Sequence, residues 1–376
     1  VALLYIKWPK QLSLNAQKRQ ALYGPIMAFA LFFALDGVYQ PAILNVKSNK
    51  PIAERVQALA PEGNIYSYIT IIAEGNRMHP FTLNYYLGNR VVPFVDFAPT
   101  EGYIPLREQI VKRMEDKLHI KTDAAHVLLT SGSQQGLDFS ARVFLNPGDV
   151  VLMESPSYLG AVNAFKACEP TFVEVPTDDY GMIPEELEKI LATTENVKRI
   201  YVIPDFQNPS GKTWSLKRRE HFMEIVNKYE IPVIEDNPYG ELRFEGEYLP
   251  SLKSMDTKDL VIFLGTFSKI LAPGLRIGWG CANEQILAKY NFVKQGADLQ
   301  ISSLDQLVAD RFLDKNDLDE HVDKIRKVYH VRRDLMLKTM EETFPKEVKF
   351  THPEGGLFTW CVLPEYMDAK VIAPQC

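Results

Sequence analysis

The sequence predicts an α/β protein, a mostly parallel sheet with helices on both faces, followed by a smaller α+β domain at the C-terminal end. Two observations predict it. From about Ala98 onward short apolar runs alternate with helical stretches, and after Ala282 that alternation stops. Leu106, Ile110, Met114 and Leu118 recur every fourth residue and open the pattern with an amphipathic helix. The apolar runs are Val127–Leu129, Val150–Met153, Phe172–Val175, Ile200–Ile203, Pro232–Ile234 and Val261–Leu264. Helical stretches lie between them at Leu137–Leu145, Glu185–Leu191 (opened by Pro184) and Leu216–Tyr229. After Ala282 a long helical pattern runs from Leu318 to Phe344, with Val322, Ile325, Tyr329, Leu335, Met336 and Met340 near one face. A strand-like stretch, Gly356–Leu363, follows it.

A chain of 376 residues is long enough to bury two cores. The expected division is a large domain over 98–300 and a partial small domain over 301–376. Residues 1–97 carry glycine and proline breaks without a sustained period, and their role is unassigned. With 46% hydrophobic and 24% charged residues the composition is that of a globular protein, not a disordered one. A net charge of −6 offers no electrostatic pull on nucleic acid. The four cysteines lack a CxxC pair and the seven histidines lack metal-ligand spacing, so neither a zinc site nor a disulfide framework is expected. A reducing cytoplasm is the expected compartment. The apolar run Ile26–Leu35, behind Lys18 and Arg19, is too short to span a bilayer and is expected to be a buried segment, with no membrane partner.

In doubly covered parallel sheets ligands bind at the carboxyl ends of the strands, and the residues found there are informative. After Val127–Leu129 comes TSGSQQ (130–135). A Ser/Gly turn opening a helix suits a phosphate, or Ser133 simply caps its own helix. After Val150–Met153 comes ESPSY, whose Tyr158 either stacks on a planar ring or packs. After Ile200–Ile203 comes PDFQNPSG, with Asn208 pinned by Pro209 as a donor to a phenolate or as a plain turn. After Pro232–Ile234 comes EDNPY, where Asp236 either holds a pyridine nitrogen protonated or caps a turn. After Val261–Leu264 comes GTFSK, then ILAPGLRIG. Lys269 follows a buried strand and stands seven residues before Arg276, a setting that makes an amine nucleophilic, and Arg276 can clamp a phosphate bidentately.

TSGSQQGL, ESPSYLGA, FQNPSG, VIEDNPYGELRF and GTFSKILAPGLRIGW resemble the motifs of fold-type I pyridoxal 5'-phosphate (PLP) dependent aminotransferases of class I/II. The nearest branch is that of the α-aminoadipate/kynurenine and multi-substrate aromatic enzymes. The likeness covers roughly Ala98 to Lys370. It implies that Lys269 carries PLP as a Schiff base, and that Ser133, Gln134, Thr266, Ser268 and Arg276 hold its phosphate. It further implies that Tyr158 stacks on the ring, that Asp236 binds the ring nitrogen, and that Asn208 and Tyr239 contact the phenolic oxygen. Amino-acid and 2-oxo acid substrates, a ping-pong transamination with an acceptor such as 2-oxoglutarate, and a homodimer are implied with them.

The sequence departs from that pattern at three places. Phe97 stands where the family has a tyrosine that reaches a neighbouring subunit's phosphate. Gly37, within FALDGVYQP, is only a faint echo of the family's substrate loop. After Trp360 the one basic residue is Lys370, where the family supplies an arginine for the substrate's α-carboxylate, so feeble turnover is the expectation for this chain. Other readings of the same motifs are a different fold-type I activity such as a β-lyase, and a PLP-binding protein or regulator without efficient turnover.

Overall fold

The structure, a computed structural model, describes residues 99–372 and, upstream of them, residues 54, 57–58, 65–68 and 91–94. The chain divides into two compact units, Val1–Asp96 and Phe97–Cys376. In the first, β1 (Ile65–Tyr68) pairs parallel with β2 (Val91–Phe94). The apolar run 26–35, Gly37 and Phe97 lie outside the described residues. Among the described residues no helix is long and apolar enough to cross a membrane.

The second unit is built on a seven-stranded sheet. Its strands are β3 (Val127–Ser131), β4 (Val150–Glu154), β5 (Thr171–Val175), β8 (Val197–Val202), β9 (Val233–Asp236), β10 (Val261–Thr266) and β11 (Ile277–Cys281). A side hairpin, β6 (Thr177–Asp178) and β7 (Gly181–Met182), interrupts that count. The order across the sheet is β3-β11-β10-β9-β8-β4-β5. Only β11 runs antiparallel, between β10 and β3.

Side chains alternate across each strand, and both faces are buried. On β8, Tyr201 packs to one face with Ile203, while Ile200 and Val202 pack to the other. The first face is covered by α2 (Gly132–Phe144), α3 (Leu159–Lys166) and α6 (Glu284–Ala297) through Leu137, Phe139, Phe165, Leu287 and Tyr290. The opposite face is covered in two patches. One is α4 (Pro184–Thr193) and α5 (Leu216–Tyr229), through Leu187, Leu191, Phe222 and Val226. The other is α1 (Ile104–Leu118), through the four residues of the opening amphipathic pattern. Local signals set the helix limits. Ser215 accepts from the Arg218 N–H to start α5, and left-handed Glu230 ends it.

The segment Ile277–Cys281 is an interior strand, although its glycines argue against one. Two expectations are corrected. The strand-like stretch 356–363 contributes only Cys361–Val362 (β13), paired with Lys349–Phe350 (β12), because the preceding EGG segment is spent on contacts with Phe206 and Leu242. On α8 (Leu318–Thr343), Val322 and Met340 are buried and Ile325 and Tyr329 pack on the core. Leu335 and Met336 are exposed, because the helix runs past the core it packs on.

Candidate active site

The carboxyl ends of β3, β4, β8, β9 and β10 converge on one cavity. It is lined by Gly132, Ser133, Gln134, Tyr158, Ile203, Asp236, Pro238, Tyr239, Thr266, Ser268, Lys269 and Arg276. Nine of the residues nominated from sequence are in that lining. The tenth, Asn208, reaches it indirectly: its Nδ2 donates to Tyr239 Oη at 3.3 Å.

Lys269 is delivered by a tight turn after β10. The N–H groups of Ile270, Leu271 and Ala272 all point back to the Phe267 carbonyl. Phe267 and Ile270 are buried, so the turn is anchored on both sides of Ser268 and half-buried Lys269. Thr266 Oγ1 lies 2.9 Å from Ser268 Oγ and accepts from the Ser268 N–H at 3.1 Å. Arg276 Nη1 stands 3.5 Å from Ser268 Oγ on the far side.

Two left-handed residues lock this wall to the next. Arg276 has φ 53° and Gly132 has φ 68°, and the Gly132 N–H donates to the Arg276 carbonyl at 2.9 Å. A Cβ on Gly132 would lie 2.5 Å from Arg276 Nη2, so only glycine leaves the guanidinium its place. Left-handed backbone at an arginine is strained, and such strain collects at functional sites. Ser133 lies inside α2, whose first turn begins at Gly132, with Ser131 at the N-cap position. The alternative in which Ser133 merely caps its helix is therefore set aside. The Ser133 hydroxyl is left to line the cavity at the helix start.

Tyr158 donates to Gln134 Oε1 at 3.3 Å, and Gln134 Nε2 donates to the Gly160 carbonyl at 2.8 Å. The pair fixes the phenol ring over the cavity between α2 and α3. A Cβ at Gly160 would run into that ring. Burial first, and the neighbouring Asp236 charge second, push the Tyr158 phenol up.

Asp236 is the last residue of β9 and is 1% exposed. Its Oδ2 accepts from Tyr201 Oη at 3.0 Å, while Oδ1 is buried without a hydrogen-bond partner. Burial pushes this carboxyl up to about 7, and the Tyr201 bond opposes the rise. A buried carboxylate oxygen without a donor is costly, so this atom asks for a proton-bearing group from a ligand.

Sequence reasoning missed Tyr201, Gly132, Ile203 and Pro238. Gly132 stands between two serines in the TSGSQQ turn, and a glycine at a strand-to-helix turn is the sequence signal for the left-handed backbone it adopts. Tyr201 sits in an apolar run, where nothing local distinguishes it from a packing residue.

A buried acid with an open oxygen, an amine at the adjoining strand end and a hydroxyl/arginine cradle on a mostly parallel sheet define a PLP-dependent transferase of fold type I. A sequence profile for aminotransferase class I and II matches residues 93–373. The chain belongs to that family. Aromatic-amino-acid aminotransferase 1 of Thermococcus litoralis is 44% identical over 282 residues, covering 74% of this chain and 68% of the relative. Kynurenine aminotransferase of Pyrococcus horikoshii, solved in complex with PMP, superposes with a TM-score of 0.72 at 44% identity over 75% of this chain and 70% of that one. The α-aminoadipate aminotransferase LysN of Thermus thermophilus, complexed with N-(5'-phosphopyridoxyl)-L-leucine, gives 0.69 at 37% identity over 73% and 69%.

The family's cofactor is PLP, and the residues present fit it. Asp236, whose buried Oδ1 has no partner, lines the cavity with Lys269, and the Gly132–Arg276 cradle keeps a cation and hydroxyls together at a helix start.

Proposed function

We propose that the chain transfers an amino group from an aromatic or 2-aminoadipate-like donor to a 2-oxo acid such as 2-oxoglutarate, by a ping-pong cycle at this cavity. The observation that carries the reading is Asp236, whose buried Oδ1 has no partner, in the same lining as Lys269. When bound, PLP supplies an electrophilic carbonyl and a ring that accepts electrons. Ser133, Gln134, Thr266, Ser268 and Arg276 bind its phosphate, with Arg276 giving a forked charge and Ser133 the helix start. Tyr158 orients the ring by stacking on it. Asp236 Oδ1 holds a proton on the ring nitrogen, and Asn208 with Tyr239 bonds the phenolic oxygen. Lys269 Nζ would anchor the cofactor carbonyl and, once free, would carry the proton from the donor's Cα to the cofactor's carbonyl carbon.

The donor class is taken from the relatives, named as aromatic, kynurenine and α-aminoadipate aminotransferases. Incubation with 2-oxoglutarate and a panel of amino acids should yield glutamate with aromatic or 2-aminoadipate donors. Glutamate formed only with small aliphatic donors, or with none, contradicts the proposal.

We further infer a homodimer. Phe292 is 77% exposed, Leu299 64% and Leu304 59%, on α6, the turn after it and the start of α7 (Ser303–Lys315), apolar side chains that a subunit contact would cover. Light scattering should report twice the chain mass, with Phe292→Asp shifting it to the monomer. A wild-type monomer overturns the inference.

A further inference from the structure

We infer that Tyr201 is a positioning residue for the reaction: its hydroxyl occupies Asp236 Oδ2 so that Oδ1 alone is presented to the cavity. The inference rests on the reading of Asp236 as the partner of the ring nitrogen.

The arrangement follows from strand parity. In the parallel β8–β9 pair, Tyr201 stands opposite Ile234, and both pack on the same face of the sheet. Asp236 lies two residues beyond Ile234, so its side chain returns to that face, one step closer to the carboxyl end. Tyr201 therefore reaches forward and sideways to the acid, and its Oη meets Oδ2 at 3.0 Å. The ring is held in turn by Phe165 of α3, edge-on at 5.6 Å and 82°. Tyr201 is 1% exposed and is absent from the cavity lining, so it touches no ligand there.

A carboxylate has two oxygens that compete for the same ligand proton. With Oδ2 already bonded, rotation of the carboxyl about its Cβ–Cγ bond would break a buried hydrogen bond, and the acid is held in one orientation. The same bond favours the charged form of Asp236, the form that binds a protonated ring nitrogen. Burial, then the Asp236 charge, push the Tyr201 phenol well above its ordinary range, so the phenol keeps its proton to donate. Among the described residues, Tyr201 is the sole side chain bonded to Asp236 in the structure.

The test is Tyr201→Phe, which keeps the ring and removes the donor, with Phe165→Leu as a packing control. In cofactor-free protein carrying 13C-labelled aspartate, the Asp236 carboxyl signal, assigned by its loss in Asp236→Asn, should titrate about one pH unit higher in Tyr201→Phe than in wild type. In PLP-loaded protein, kcat for amino-donor turnover should fall on the order of tenfold, with the donor KM within about twofold because Tyr201 does not touch the donor. Phe165→Leu should move neither readout to that extent. An unchanged Asp236 midpoint and kcat in Tyr201→Phe overturns the inference, as does an equal effect of Phe165→Leu, which would assign the role to packing. If instead Asp236→Asn retains full turnover, it is the reading of Asp236 that falls, and the Tyr201→Phe midpoint still decides whether the two residues are coupled.

Discussion

Asp236 is a buried acid whose desolvation is felt in the stability of the fold. In the cofactor-free protein its carboxyl is pushed up to about 7 by burial, against about 3.9 for an unfolded aspartate. The folded state thus binds the proton more tightly than the unfolded state between those values. Stability from this group is fully present below about pH 4 and is lost as pH rises through about 7. Asp236→Asn should remove that dependence, so the stability difference between variant and wild type should shift in the variant's favour by on the order of 3 kcal/mol between pH 4 and 8. Urea unfolding of the cofactor-free proteins across that range measures it, and a pH-independent difference would mean that the acid is not a buried charge. Glu154, also pushed up to about 7 by burial, contributes in the same sense but is common to both proteins. At this scale the sequence was informative about Lys269, Asp236 and Arg276, because each stands at a fixed step from a turn or glycine. It was silent about Tyr201, because a tyrosine within VKRIYV reads as an ordinary strand residue until β8 and β9 are put side by side.

The elements deliver these residues by holding irregular loops still. The loop after β8 bears Asn208 and is fixed by a buried ion pair, in which Arg219 Nη2 donates to Asp205 Oδ1 at 2.7 Å. Asn237, next to Asp236, donates to the other Asp205 oxygen at 3.1 Å. Arg243 lies 4.8 Å over the ring of left-handed Phe206 and bonds Glu354 at 2.9 Å, tying the EGG segment to the same loop. Arg219→Leu leaves Asp205 buried and short of a partner, and should cost about 3–5 kcal/mol in denaturant unfolding. Loss of an exposed pair such as Lys189–Glu186 should leave the unfolding midpoint nearly unchanged. Equal effects would mean that the buried network is not what holds the loop. The strands and helices of this sheet were legible because each apolar run ends in a turn signal. The antiparallel β11 was not, since IGWGC is rich in a residue that strands avoid. Gly278 is required here by close packing: a Cβ on it would meet the backbone of Gly132 and Ser133.

At the scale of the molecule, a mostly parallel sheet collects residues distant in sequence at one edge, and that is what joins a lysine at 269 to a serine at 133 in one cavity. The alternation of runs and helices implied such an edge, while the strand order, with β11 inserted between β10 and β3, emerges only from long-range pairing. The central claim is that this edge is a PLP site anchored at Lys269. Borohydride reduction of the PLP-saturated protein, followed by peptide mapping, tests it most directly. The account predicts a single phosphopyridoxyl adduct on Lys269, absent from Lys269→Ala. An adduct on a different lysine, or no adduct in protein saturated with PLP, would contradict it.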